Sequence, residues 1–254
     1  MIQVTSTKEM AGVHVSGTRD DLFQLVDAFH AITVNEYHQE KHLFGYIGMS
    51  TRILGICYDI RHASQGDREV EMVENGMSRE LMTAHGVVTP LENVHFACDL
   101  IYPEVLHCMI ALNILIELRA GSRSSAEKLL DRHVIWDETA AVIRNFQAQV
   151  TACLRNTLSP ASYTRMLGYL NNRSCKLNSM LHQYLDVLNI EYLALDREKR
   201  LKQLNRTAKR ISYFSDDPHY QSINHSIHHA AQEYGCETDE IRLVGYEYPD
   251  DIIW

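Results

Sequence analysis

The chain has few of the residues that break regular structure: five prolines and 12 glycines in 254 residues. With 45% hydrophobic and 22% charged residues, that scarcity excludes collagen-like, low-complexity and wholly disordered classes. No C-x-x-C pair occurs among Cys57, Cys98, Cys108, Cys153, Cys175 and Cys236, so zinc-ribbon and thioredoxin-type patterns are missing. Most of these cysteines sit among apolar neighbours, where a reduced thiol acts as a small hydrophobe. A reducing, cytoplasmic setting is the expectation. The longest apolar stretch, Cys108–Leu118, is interrupted by Asn113 and Glu117 and is too short to cross a bilayer. The opening residues lack the basic-then-apolar layout of a secretory signal. No membrane association is expected. The Walker, dinucleotide and nucleophile-elbow glycine motifs are all absent.

What is present suits a soluble globular protein. A chain of this length buries roughly 70–75% of its unfolded surface and needs no disulfides. We read residues 1–254 as a single compact domain, with a possible division at residue 102 between an α+β part and a mainly helical part. The fold class is α+β: a small, mostly antiparallel sheet from the N-terminal region and a C-terminal strand, packed with a helical middle and C-terminal part.

Gln3–Ser6 and Val13–Ser16 read as a hairpin. Thr18 caps a helix whose apolar stripe is Leu22, Leu25, Val26, Phe29 and Ile32. Residues 51–60 suit helix or strand. Glu69–Val73 and Val94–Ile101 alternate like half-buried strands, with a short helix at Ser78–His85 between them. From Pro103 the pattern is helical, and Val105–Leu118 is apolar almost all round, as in a buried helix. Gly121–Ser125 reads as a loop. Helices are expected at Ala126–His133, Asp137–Thr157, Ala161–Asn171, Leu177–Leu195, Asp196–Tyr213 and His219–Tyr234. Glu240–Tyr248 reads as the closing strand.

The densest polar cluster runs from Tyr58 to Glu71. Asp59 or Asp67 suits a catalytic base, and His62 exchanges protons near neutrality. Arg61 and Arg68, with Tyr58, suit the binding of a phosphate or carboxylate. The competing reading is a turn fixed by its own ion pairs. Cys57 beside this cluster is a conceivable nucleophile, although a thiol in an apolar run is ordinarily inert core.

Two spacings resemble metal sites. Glu104 and His107 form Glu-x-x-His on a helix, but the second copy that a di-iron bundle needs is missing. His225, His229 and Glu233 lie four apart, with His228 adjacent, and would form one stripe of a helix. His38 and His42 repeat that spacing. The solvated helix face is the simpler reading of these stripes, so no metal is assigned, and the residues leave any cofactor unknown.

Charge is segregated. Arg197–Arg210 holds seven basic residues against Glu198, and Asp216–Trp254 holds nine acidic residues against Arg242. With a net charge of −9, general nucleic-acid binding is not expected. The two segments more simply complement each other, within one chain or across a dimer.

Gly55–Ala63 with Gln65–Glu69, Asp186–Ile190, Lys199–Leu201, Ile241–Leu243 and Tyr248-Pro249 resemble an uncharacterised bacterial domain-of-unknown-function family. The resemblance spans nearly the whole chain. It implies a bacterial cytoplasmic protein built as one unit, and it supplies no activity.

The leading expectation is a protein that binds a small anionic ligand, a nucleotide or phosphate ester. An acid–base or hydrolytic enzyme at Tyr58–Glu71 is its catalytic form. One alternative is a non-enzymatic interaction or self-assembling protein, a homo-oligomer or part of a bacterial regulatory or defence complex. The other is a metal-dependent enzyme using His225, His229 and Glu233. The residues leave open whether the chain is an enzyme.

Overall fold

The computed structural model describes residues 1–35, 40–121 and 132–254. The segment containing His38, and most of the expected loop and helix at Gly121–Ser125 and Ala126–His133, lie outside the described residues. Strands β1 (Gln3–Ser6) and β2 (Gly12–Gly17) form the expected hairpin, with Val4 opposite Val15. Helix α1 (Arg19–Ile32) follows, closed by a capping box between Thr18 and Asp21. Helix α2 (Ile47–Ser64) settles the ambiguity of residues 51–60 in favour of helix. Strand β3 (Glu69–Glu74), helix α3 (Arg79–His85) and strand β4 (Glu92–Ile101) come next.

The sheet is antiparallel with order β1-β2-β4-β3. Alternation puts Val4, Val13, Val15, Cys98 and Leu100 on one face, all buried. Helix α2 packs on β4 and α1 packs on α2 over this face. Gly12 is required where β2 crosses β4, because a Cβ there would lie 1.9 Å from the Leu100 carbonyl oxygen.

Helix α4 (Tyr102–Ala120) starts directly after β4, with Pro103 in its first turn. Twelve of its residues are buried, so it is the centre about which the other helices collect. Those helices are α5 (Arg132–Ile135), α6 (Glu138–Thr157), α7 (Pro160–Leu170), α8 (His182–Leu193), α9 (Arg197–Ser212) and α10 (Pro218–Tyr234). One hydrophobic cluster runs from Ile2 to Ile227 and joins the sheet to the bundle.

Three expectations need correction. The α+β class stands, but Glu240–Tyr248 is not a strand. Its apolar alternation lays Ile241 and Leu243 against the core, and a side chain takes the place of a partner strand. The Gln183 amide donates to the Ile241 carbonyl at 2.7 Å and accepts from the Leu243 N–H at 2.6 Å. Gly245, at φ +88°, then turns the chain away from extended geometry. Leu177–Leu195 is not one helix: a 3-10 turn, Leu177–Ser179, precedes α8. Strand β3 is less buried than its pattern suggests, with Val70 56% and Met72 59% exposed, because among the described residues no layer covers the end of the β3–β4 arm.

Candidate functional site

Helix α2 carries polar groups on both flanks of its buried stripe, Ile53, Ile56, Cys57, Ile60 and Ala63. The sequence cluster lies at its C-terminal end, and the structure divides it in two. Asp59 accepts from Arg68 at 2.9 Å. Around the helix, His62 Nδ1 meets Asp67 at 2.9 Å, and the Tyr58 ring packs against the His62 ring at a tilt of 51°, with centroids 4.2 Å apart. The Arg61 guanidinium lies 5.4 Å from the centre of the Tyr58 ring. Every charged member of the expected site therefore has a neighbour within the cluster. Tyr58 is half exposed, and Asp67 and Arg68 are exposed. Asp59 and Arg68 line a groove, whereas Tyr58, Arg61, His62 and Asp67 are not among its lining residues.

That groove leads to a denser network at the other end of α2. Arg52 donates to Glu104 at 3.1 Å and to the His182 carbonyl at 2.7 Å, and pairs with Asp186 at 2.8 Å. Glu104, in the first turn of α4, also accepts from Asn189 at 2.6 Å. Asn189 is fully buried and donates to the Tyr248 hydroxyl at 2.8 Å, which donates to Asp186 at 3.2 Å. Four separate parts of the chain thus converge: α2, α4, α8 and the tail.

Burial sets the protonation of this network. It raises the carboxyl of Glu104 above its ordinary range, and Arg52 only partly offsets that. It lowers the imidazole of His182, with help from Arg52. His107, one turn below Glu104, is pushed down to about 3 by burial and then by Arg52 and His182. Among the described residues its Nδ1 has no hydrogen-bond partner, and neither has the Asn189 Oδ1. The Tyr248 phenol is pushed up to about 12 by burial. The His182 ring stands against α2, where a Cβ on Gly48 would lie 2.1 Å from Nε2.

Glu104-x-x-His107 is therefore not half of a di-metal site. The Arg52 guanidinium already supplies the cation that Glu104 and Asp186 need. The groove above it has a volume of about 840 Å³. Asp59, Glu69, Asp99, Glu104 and Asp186 line it, against Arg52 and Arg68, with Ile56, Leu100, Ile252 and Trp254 as apolar wall.

The other candidates stand apart. His225, His228 and His229 are exposed on α10, and the nearest approach of His229 to Glu233 is 3.9 Å. Cys57 is buried, and burial pushes its thiol up to about 11, the opposite of nucleophile activation. On the basic helix, Arg200 is buried and donates to the carbonyls of Glu9, Leu193 and Ile253. Arg210 is held by Glu191 and Asp217. These two arginines pin the chain together.

Sequence reasoning missed Arg52, His182, Asp186, Asn189 and Tyr248 as site residues. A signal was there: Asp186 and Asn189 lie in one of the resemblance blocks, and Tyr248 lies in another.

The family model described as Domain of unknown function (DUF6904) matches residues 2–254, and the chain belongs to that family. No curated protein and no solved structure matches it significantly.

Proposed function

We propose that this member of a family without an assigned activity binds a small organic cation, carrying an ammonium or guanidinium group, in the groove between α2, β4 and the tail. The observation that carries the reading is the charge of the lining. Five carboxylates line the groove against two arginines: Asp59, Glu104 and Asp186 pair with those arginines and Asp99 pairs with His14, so the lining keeps a net negative charge with Glu69 outside these pairs. A concave site with excess negative charge concentrates cations. Tyr248 and Trp254 line the same groove, and aromatic rings attract organic cations. The anionic ligand expected from the sequence has weaker support, because carboxylates outnumber arginines in the groove lining and Arg61 lies outside it, against the Tyr58 ring. Glu104 and His182, with shifts toward neutrality in opposite senses, are the groups suited to proton exchange with a bound amine.

Thermal denaturation with agmatine, putrescine, choline and adenosine monophosphate tests this. A ligand at a hundred times its Kd stabilises by about 2.7 kcal/mol, or roughly 5–10 °C in a chain of this size. At least one amine should raise Tm by that order, and Asp59→Asn should reduce the shift. A rise with adenosine monophosphate alone would return the ligand to the anionic class.

A second reading, self-association, rests on the β3–β4 arm, whose Val70, Met72 and Val94 share one exposed face. Native mass measurement of the wild type and Met72→Lys tests it. A wild-type chain that is monomeric at high concentration eliminates it.

A further inference from the structure

The two faces of the sheet differ in kind. One carries the buried row Val13, Val15, Cys98 and Leu100, and the other carries titratable groups. On β2, His14 lies opposite Asp99 of β4. On β3, Glu69 lies opposite Ala97 and Glu71 opposite His95. Ala97 is fully buried at the middle of this set, flanked by Ser16 on one side and Glu69 on the other. A methyl group there leaves room above it for longer side chains from β2 and β3 to meet.

We infer that His14, Glu69 and Glu71 form a binding site for one divalent transition-metal ion, zinc by its ligand set, with Asp99 positioning His14 from behind. The ligand atoms of the three residues all lie within 4.8 Å of one another. His14 Nε2 is 3.1 Å from Glu71, and its Nδ1 is 2.8 Å from Asp99. That is the carboxylate–histidine–metal arrangement: Asp99 accepts a hydrogen bond from the Nδ1–H, fixes the ring and aims Nε2 at the two carboxylates. A tetrahedral ion with bonds of about 2.0–2.1 Å sets its ligand atoms about 3.3 Å apart, close to the His14–Glu71 separation. One imidazole and two carboxylates are zinc-type donors, and three protein ligands leave a fourth position for water.

A second observation points the same way. His95, on the same face and directly across from Glu71, is only 6% exposed, and among the described residues its Nδ1 has no hydrogen-bond partner. A buried imidazole nitrogen without a partner is costly. His95 stands in register with the ligand Glu71, so the polar atom left without a partner belongs to the same stretch of the sheet as the ligands.

The probe is zinc ion alone, titrated by calorimetry into full-length, untagged, chelator-stripped protein, with cobalt absorption as the second readout. We expect one ion per chain. Affinity should drop at least 100-fold in His14→Ala and in Glu71→Gln. Asp99→Asn should weaken binding 10- to 100-fold with the cobalt spectrum kept, as expected of a positioning residue. The double variant His225→Ala/His229→Ala should bind as the wild type does. Glu71, more than one-third exposed, can be replaced without disturbing the core, so Glu71→Gln decides the matter if His14→Ala fails to fold. Absence of binding, unchanged affinity in folded Glu71→Gln, or loss of binding in the α10 variant overturns the assignment.

Discussion

The two ends of α2 carry similar residues and do different things. At its C-terminal end Arg68 meets Asp59, with side chains 41% and 40% exposed, nine residues apart in sequence. At its N-terminal end Arg52 meets Glu104 and Asp186, 52 and 134 residues away, with its own side chain 20% exposed. The first cluster is local and wet, and only Asp59 and Arg68 of it reach the groove. The second is assembled from distant parts, partly desolvated, and borders open space. Polar density along a sequence finds the first kind, because neighbours in sequence meet in the folded chain whatever the topology. A site built by tertiary structure leaves no such density.

Breaking each end separately gives the widest expected contrast. Arg52→Met leaves Glu104 and Asp186 without their cation, and removing one partner of a buried pair costs about 3–5 kcal/mol. Arg68→Met breaks an exposed pair worth about 0–1 kcal/mol. Urea denaturation of both variants measures the difference. Adding Glu104→Gln to Arg52→Met should recover part of the loss, because the buried group left behind is then neutral. Equal destabilisation by the two single variants would erase the distinction between the ends.

Acid sharpens the same contrast. Above pH 6.5, His107 is neutral in the folded and the unfolded chain alike. Below it, the unfolded chain takes a proton that the folded chain refuses until about pH 3. Stability therefore falls as pH falls through that window, by up to about 1.4 kcal/mol per pH unit. His107→Leu should flatten the slope. His14 acts with the opposite sign, because its folded value is raised. Its contribution is full below pH 6.5 and is lost as pH rises through the raised value, so His14→Gln should lower stability in acid more than in base.

Two glycines of α2 extend the comparison to packing. A methyl group on Gly48 would collide with the His182 ring, whereas one on Gly55 meets nothing within 4 Å. Gly48→Ala should destabilise by about 1–3 kcal/mol, as overpacking does. Gly55→Ala should stabilise by up to about 1 kcal/mol through helix propensity. Thermal melts of the two single variants check both signs. Gly55 also lines the groove, so a stable Gly55→Ala protein that loses amine binding would locate the ligand against this face of the helix.

Much of the fold is legible in the residues. Thr18 announces α1, the apolar surface of Val105–Leu118 announces the central helix, and Ser159-Pro160 and Gly235 mark helix ends at their observed places. The tail misleads because Ile241 and Leu243 alternate as in a strand while their hydrogen-bond partner is the side chain of Gln183, 58 and 60 residues earlier. The groove is illegible for the same reason. Arg52 and Tyr248 lie 196 positions apart, and neither is unusual among its neighbours. Glu104-x-x-His107 is visible as a motif but misread, because nothing local shows that an arginine from α2 fills the place of a metal.

The smallest effect closes the comparison from the exposed end. A double-mutant cycle over Asp59→Ala and Arg68→Ala isolates their coupling from everything else each residue does. For an exposed pair it should be about 0.2–1 kcal/mol and should shrink when salt is raised, since screening acts most on charges in water. Coupling well above that range, insensitive to salt, would mean that the pair is desolvated, as Arg52 and Glu104 are. The Tyr58–Glu71 cluster would then join the groove as one electrostatic unit. Coupling within the range leaves Asp59 and Arg68 as the rim of the groove, free to exchange each other for a ligand at little cost.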